Sequence, residues 1–241
     1  MNRPSFATAA PVAPTPSAPP AASAPMSGFR ALVRSALLLA LALPVAGCAV
    51  LSGPQRDPVT LYAPQLVAQA DPSWPRAEWQ LAIAPPSGSG HVDGSRIGVR
   101  PVPGELQVYR GAAWAQPATD MVEASVLRVL EESGKLAGVG RLAAGLRADY
   151  RLLMDVRRFE ADYNGGAIPI ATIEISATLL GNHDQRSVAR HTFTQLQPAA
   201  ATDVASVAHA FDQALAAVSS DIAGWVLVQG QADRQGRPAQ P

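Results

Sequence analysis

The segment Ile170-Ala-Thr-Ile-Glu-Ile-Ser-Ala-Thr-Leu-Leu180 alternates apolar and polar side chains over its whole length. A period of two residues predicts a β-strand with one buried face. Residues 149–160 show the same alternation, and residues 187–196 are predicted to form a third, more polar strand. Asn182-His-Asp-Gln185 has the composition of a hairpin loop between the last two strands. The three segments therefore predict a meander of strands.

Two helices are predicted around this meander. After it, from Thr202 to Val228, apolar side chains recur mainly three or four residues apart, as on one face of an α-helix. Before it, a shorter helix is predicted to end at Ser133, with Gly134 stopping it and with Thr119 or Asp120 capping its N terminus.

Shorter strands are predicted at the start of the domain. Residues 79–84, 97–100 and 105–110 have strand character, and Ser87-Gly-Ser-Gly90 is predicted to be a loop. The fold class that follows is α+β: a mixed, largely antiparallel β-sheet packed by two main helices in a single domain.

The N-terminal region has a different composition. Residues 1–25 contain seven prolines, eight alanines and one charge, which predicts a disordered extension. Residues 26–47 run from basic to apolar to small, the order of a secretory signal peptide, and the apolar run is shorter than the roughly 20 residues of a membrane span. We expect translation to start at Met26; a long N-terminal region of the signal, starting at Met1, is the alternative.

The end of this signal resembles the lipobox of bacterial lipoproteins. The motif is Val45-Ala46-Gly47-Cys48. The resemblance implies cleavage before Cys48 and a diacylglycerol and an N-acyl chain on that residue, while Ala49 in place of aspartate implies sorting to the outer membrane. The alternative is a free, buried cysteine.

The mature chain is predicted to be one domain on a tether. Residues 48–75 are rich in proline and are interpreted as a tether, 76–228 as the folded unit and 229–241 as a disordered tail. The full chain has 19 basic and 19 acidic residues; removal of Arg3, Arg30 and Arg34 with the signal leaves 16 and 19. This balance argues against a nucleic-acid partner.

Nothing in the sequence predicts a catalytic or metal site. A single cysteine excludes an internal disulfide and a thiolate zinc cluster. Ser87-Gly-Ser-Gly-His91 is not a nucleophile elbow, and Gly138-Val-Gly140 follows a predicted helix where a dinucleotide-binding turn follows a strand. The histidines lie in four separate predicted elements: His91, His183, His191 and His209.

Charged residues on the first meander strand have a simple interpretation. Asp155, Glu160 and Asp162 lie among arginines of the same strand, so we interpret them as solvated charges that neutralise one another. Because no catalytic or metal site is predicted, we expect no cofactor apart from the covalent lipid that the lipobox resemblance implies on Cys48.

The order of these elements resembles the ABC-type transport auxiliary lipoprotein family (the paraquat-inducible protein C type), from about Leu61-Tyr62 to Trp225. The residues that carry the resemblance are Leu81–Pro85, Gly104–Arg110, Ala113–Pro117, Ala148–Leu152, Phe159-Glu160, Phe193, Ala210-Phe211 and Ala223–Trp225.

The resemblance implies a non-catalytic periplasmic lipoprotein. It would work beside an ABC permease, an ATPase and an MCE-domain protein that moves lipids between the membranes of a Gram-negative bacterium, and it could form a homo-oligomer. Tyr109, Arg110 and Trp114 are the candidates for the partner interface, although Trp114 could instead hold the first helix to the sheet. The alternative function is a structural or regulatory outer-membrane lipoprotein of unrelated envelope machinery; a hydrolase is disfavoured.

Overall fold

A computed structural model describes residues 58–65 and 70–236. The α-helices within these ranges are α1 (Ala118–Ser133) and α2 (Val204–Gly236), and a 3-10 turn covers Leu142–Ala144. The strands are β1 (Thr60–Tyr62), β2 (Ala77–Ile83), β3 (Ser87–Gly88), β4 (Arg96–Arg100), β5 (Gln107–Trp114), β6 (Leu136–Arg141), β7 (Tyr150–Asp162), β8 (Ile170–Gly181) and β9 (Ser187–Pro198).

Strand β7 organises the sheet. One of its edges pairs antiparallel with β8 along its whole length, and β8 pairs antiparallel with β9. Its other edge receives β2, β3 and β4 in succession, all parallel to it. Beyond them, β6 pairs with β2, β5 with β4, and β1 with β5. The predicted α+β fold with a mixed sheet and two main helices is confirmed, and the predicted meander is β7–β9.

A β-bulge in β7 decides which residues face the core. Tyr150, Leu152, Met154 and Val156 are buried in the first half of the strand. The register then shifts between Val156 and Arg158. Because a bulge adds one residue and reverses the alternation, Phe159 and Ala161 occupy the core positions that follow. Glu160 consequently turns to the opposite face of the sheet.

Both helices pack on one face of the sheet. Phe211 of α2 stacks on Phe159 with ring centroids 4.8 Å apart. Asp203 caps the N terminus of α2 by accepting the Ser206 backbone N–H at 2.9 Å. Gly134 ends α1 in the left-handed conformation, as predicted. Neither described helix combines the length and apolar character needed to cross a membrane.

The predicted cap of α1 is wrong. The helix begins at Ala118, and its N-cap residue is Pro117, which makes no side-chain cap hydrogen bond. Thr119 is buried in the first turn instead. Pro117 has φ of −54° and ψ of 150°, the extended backbone that an N-cap residue adopts.

Folded structure extends beyond both predicted boundaries. In the segment interpreted as a tether, Thr60–Tyr62 pairs with β5, and a Cβ on Gly224 would lie 2.7 Å from the Trp74 indole nitrogen. In the segment interpreted as a tail, α2 continues to Gly236. Gly230 there approaches Trp79 so closely that a Cβ would lie 2.4 Å from the indole ring. Glycine in this position provides room for the indole rather than ending the helix.

The sequence interpretation also missed strand β6 and the short strand β3. The glycine-rich segment Leu136–Arg141 pairs with β2 in parallel, and Ser87–Gly88 pairs with β7 where a loop was predicted. Cys48, the lipobox and the proposed start at Met26 lie outside the described residues.

Candidate partner-binding face

Exposed apolar side chains concentrate at the β4–β5 end of the sheet. Among the described residues, nine large apolar side chains are exposed. Three of them, Val102, Leu106 and Val108, belong to the β4–β5 hairpin, and two more, Val59 and Leu61, lie in or beside β1. We call the surface formed by residues 102–110 the hairpin face. Clustering of this kind is typical of a surface that binds a partner.

Trp114 lies in the core and not on this face. Its side chain is 2% exposed. Its ring contacts Phe159 and Phe211 edge-on, with centroids 5.8 and 5.2 Å away. Its ring contacts therefore join β7 to α2, whereas the predicted structural role was to hold the first helix to the sheet. A partner could not reach Trp114 in the folded domain.

Tyr109 is half-buried. Burial and, to a smaller extent, the neighbouring Tyr163 raise the pKa of its hydroxyl above the ordinary value. Among the described residues, the buried hydroxyl of Tyr109 has no hydrogen-bond partner. Tyr109 therefore contributes mainly packing beneath the face.

Arg110 is the exposed member of the predicted trio. Between the pairs Gly98–Val108 and Arg96–Ala113, strand β5 contains more residues than β4, so it bulges within residues 109–112, the segment that includes Arg110. Gly111 follows with a φ of +65°, a conformation that glycine adopts without strain. Within the described ranges Arg110 makes no ion pair. Arg110 thus presents an exposed guanidinium at the edge of the hairpin face.

A buried charge cluster lies beside the hairpin. Glu160 is 1% exposed. It accepts hydrogen bonds from Arg100 Nε at 2.9 Å and Nη2 at 3.0 Å, and Arg158 Nη2 lies 2.8 Å from its Oε1. Burial acts to raise the pKa of Glu160, but the two arginines outweigh burial and hold it below its ordinary value. The predicted neutralisation is present, whereas the predicted solvation of Glu160 is wrong, because neighbouring strands cover it.

A cleft of about 550 Å³ opens beside the hairpin. Its walls are the loop after β3, which includes His91, and the segment Leu106–Val108; Arg96 and Gly98 also line it. His91 Nδ1 is 2.9 Å from Ser89 Oγ. His91 Nε2 is buried, has no hydrogen-bond partner among the residues that the structure describes, and lies 3.9 Å from Glu160 Oε2. Sequence reasoning missed this site because His91 and Glu160 are far apart in the chain.

No group of metal-ligating side chains that could hold an ion occurs in the part of the chain that the structure describes. The chemistry available at the hairpin face is hydrogen bonding, ion pairing and apolar contact.

Residues 60–223, more than half of the chain, match the model of the ABC-type transport auxiliary lipoprotein component family. The chain belongs to this family. The match begins at β1 and ends within α2, so it covers nearly the whole described fold. The family is one of transport auxiliary components and not of known enzymes.

Solved structures agree with this assignment. The protein XCC0632 from Xanthomonas campestris, solved as a member of family model DUF330, is 53% identical, with a TM-score of 0.70, and the match covers 73% of this chain and 99% of that one. An uncharacterized protein of known structure is 14% identical with a TM-score of 0.54, covering 68% and 97% of the two chains, and shares the fold. No curated protein matches the sequence significantly.

Proposed function

We propose that this auxiliary lipoprotein is a non-catalytic, lipid-anchored component of an MCE/ABC-type system that moves lipids between the two membranes of a Gram-negative envelope. The observation that carries the proposal is the family match across the folded domain. The family description leaves three parts of this proposal open: the outer-membrane location, the MCE-domain partner and the lipid cargo.

The anchor in this proposal is Cys48, acylated at the outer membrane. Ten chain positions separate Cys48 from Pro58, where the described structure begins. Even a fully extended chain of that length spans at most about 35 Å. The domain would therefore stay close to the membrane that holds the lipid, which suits a component that meets its partner near the outer membrane.

The partner surface in this proposal is the hairpin face. Val102, Leu106 and Val108 supply apolar contact, and Arg110 at the edge supplies an exposed guanidinium. Interfaces commonly combine an apolar centre with arginine anchors. We propose that this surface binds the MCE-domain protein and thereby connects the lipoprotein to the permease and the ATPase.

Co-purification tests this proposal. The acylated full chain is extracted in mild detergent, and an MCE-domain protein is sought in the eluate by mass spectrometry, with permease and ATPase genes sought nearby. We expect recovery of the MCE protein to fall about tenfold for Arg110→Glu, since a charge reversal at an interface anchor costs affinity. Arg147→Glu is the matched control, because Arg147 is also exposed but lies before β7, away from the hairpin.

Two results would contradict the proposal. Absence of any MCE protein in the wild-type eluate, together with a gene neighbourhood without permease or ATPase, would favour the structural or regulatory lipoprotein. If the chain co-purifies only with further copies of itself, the hairpin face would be a surface for self-association and not for an MCE partner.

The anchor has its own test. We expect Cys48→Ser to abolish incorporation of labelled fatty acid and to move the protein from the outer-membrane fraction to the soluble periplasmic fraction. Unchanged membrane fractionation of this variant would mean that something other than the lipid holds the protein.

A further inference from the structure

Strand β9 forms one lateral edge of the sheet. Among the described residues it pairs with β8 alone, so its other side is an open edge. Ala199, just beyond the strand, donates its backbone N–H to Pro169 at 2.9 Å, and in an antiparallel ladder such bonded pairs alternate with unbonded ones. The alternation directs the backbone N–H and C=O of every second residue of β9 away from β8. These outward residues are Arg190, Thr192, Thr194 and Leu196.

This open edge has few of the features that protect an edge strand. Exposed edges are commonly blocked by charged side chains, by proline or by a covering element. The side chains of Thr192 and Thr194 are exposed, and Arg190 carries the one formal charge between positions 190 and 197. Pro198 comes at the end, where a backbone N–H would also point outward and is not needed by β8. Residues 190–196 can therefore pair with a further strand.

Apolar surface lies beside the edge on the helix-covered side. Helix α2 runs along β9, because Gln195 Nε2 donates to Asp221 Oδ2 at 2.6 Å and the rings of Phe193 and Trp225 are 5.7 Å apart. Val228 lies on the same side of α2 as Asp221 and Trp225, since the spacings are four and three residues. It is 49% exposed. The helix thus offers an uncovered apolar side chain next to the strand edge.

The opposite side of the edge is also apolar at one end. Leu196 lies opposite Thr172 of β8 and is 59% exposed. A strand added to β9 would direct alternate side chains to the two faces of the sheet. One set would lie beside Trp225 and Val228, and the other would lie beside Leu196. The edge therefore favours a segment that carries apolar side chains on both of its faces.

A second copy of β9 matches this edge poorly. A twofold antiparallel register that pairs the outward residues with one another places Leu196 opposite Arg190, and Thr192 opposite Thr194. Leu196 then has no apolar neighbour across the interface, although such cross-strand contacts are what stabilise strand pairs. Complementarity thus favours a segment of a different protein.

We propose that β9 binds an extended segment of a partner protein, which adds to the sheet as a further strand along residues 190–196. Main-chain hydrogen bonds supply the affinity, and apolar side chains beside Val228 and Leu196 supply the specificity. The inference goes beyond the proposed function, because β7 and β8 separate β9 from the hairpin face.

The first test concerns the free protein. Hydrogen exchange is followed by NMR on the acylated mature chain in neutral detergent. We expect the outward amides of Thr192, Thr194 and Leu196 to exchange at least about tenfold faster than those of Phe193 and Gln195, which bond to β8. Equal protection of both sets at all protein concentrations would mean that the chain itself covers the edge. Protection of the outward set that grows with concentration would mean that a second copy covers it, and either result would overturn the proposal.

The second test adds a defined strand. We expect the peptide acetyl-Lys-Val-Leu-Val-Thr-Val-Lys-amide to shift the backbone signals of residues 190–196 in a saturable way and to slow exchange of the outward amides. The same peptide with N-methyl groups on its central amides should bind at least about tenfold more weakly, because it keeps the side chains and loses the main-chain donors. Equal binding of the two peptides would overturn the proposal.

The main-chain bonds are tested within the protein by Thr194→Pro. This substitution removes an outward N–H and leaves the bonds to β8 in place, so binding of the peptide should weaken about tenfold. Thr194→Val keeps the N–H and should bind as the wild type does. Unchanged protection of the Phe193 and Gln195 amides shows that the proline variant is folded, and wild-type binding by that folded variant would overturn the proposal.

The apolar contact is tested by Val228→Asp, which leaves the strand itself unchanged. We expect about tenfold weaker binding of the peptide. Val102→Asp is the matched control, because Val102 is also 49% exposed but lies on the hairpin face. Wild-type binding by Val228→Asp, or an equal loss in Val102→Asp, would overturn the proposal. This pair of variants decides the question if Thr194→Pro does not fold.

Discussion

Phe159 and Glu160 are neighbours in the chain, yet they lie on opposite faces of the sheet with opposite chemistry. Phe159 faces the helices and packs against Phe211 and Trp114. Glu160 faces away from them, among Arg100, Arg158 and His91. The helix-covered face is continuous apolar packing that holds the domain together, whereas the other face is charged, carries a cleft and borders exposed apolar side chains. Residues on the helix-covered face therefore mainly stabilise the protein, whereas residues on the other face are available to bind a partner.

The largest effect is expected on the helix-covered face. Trp114→Ala should lower the free energy of unfolding by about 3–5 kcal/mol, because it removes a large buried ring and leaves a cavity between the sheet and α2. Urea denaturation followed by circular dichroism measures the change. A loss below about 1 kcal/mol would contradict the role of Trp114 in the core.

The close approach between α2 and β2 should be nearly as sensitive. Gly230→Val should destabilise the domain by about 3 kcal/mol, because its new side chain would collide with the buried Trp79 ring. Gly236→Val is the matched control in the same helix, since a Cβ there meets nothing within 4 Å. Equal stability of the two variants in thermal denaturation would show that α2 does not pack on Trp79 this closely.

The stability contributed by the charged face should depend on pH, whereas the stability contributed by the apolar packing should not. The folded-state pKa of Glu160 is below its ordinary value of 4.5. Its contribution to stability is therefore fully present above about pH 4.5 and is lost as the pH falls through the lower, folded-state pKa. Glu160→Gln should cost about 2 kcal/mol at pH 7 and should flatten this acid limb, as measured by urea midpoints from pH 7 to pH 2.

Asp203 is a control for that experiment. Hydrogen bonds from Ser206 lower its pKa, so part of the acid dependence should survive in the Glu160→Gln variant. Unchanged acid dependence in that variant would mean that Glu160 is not the paired carboxylate.

The smallest effect is expected at the polar edge of the helix-covered face. The Tyr150 hydroxyl donates to Asp233 Oδ2 at 2.9 Å, near the end of α2. Tyr150→Phe should cost about 1 kcal/mol, the usual value of one hydrogen bond. Hydrogen exchange should show faster opening of residues 230–236 in the variant. Identical exchange in the wild type and in Tyr150→Phe would mean that this hydrogen bond does not hold the end of α2.

The meander and most of α2 could be predicted from the pattern of apolar and polar residues along the chain. The apolar and polar side chains of Ile170–Leu180 alternate because one face of the strand is buried, and this burial is visible in consecutive residues. Strand β6 shows the limit of this reasoning. Its glycines give no alternation, and its pairing with β2 joins segments more than fifty residues apart in the chain.

The candidate site was predictable only in part. Arg110 was identified because arginine beside an aromatic residue is typical of interfaces, and the structure places it on the surface. Trp114 fits the same pattern, but its position after the β5 bulge directs it into the core. The Glu160 cluster was misinterpreted because Arg100 approaches it from a different strand.

By itself, the sequence determined the α+β class, the meander, the two helices and the family resemblance that the family match confirmed. It also contains the lipobox on which the proposed anchor depends. Only the tertiary structure decided that Gly230 lets α2 continue against Trp79, that Glu160 is buried and paired, and that His91 lies beside the Glu160 carboxylate. The physical reason is range: alternation and helical periodicity are properties of neighbouring residues, whereas burial, close approach and charge pairing depend on which distant strands meet.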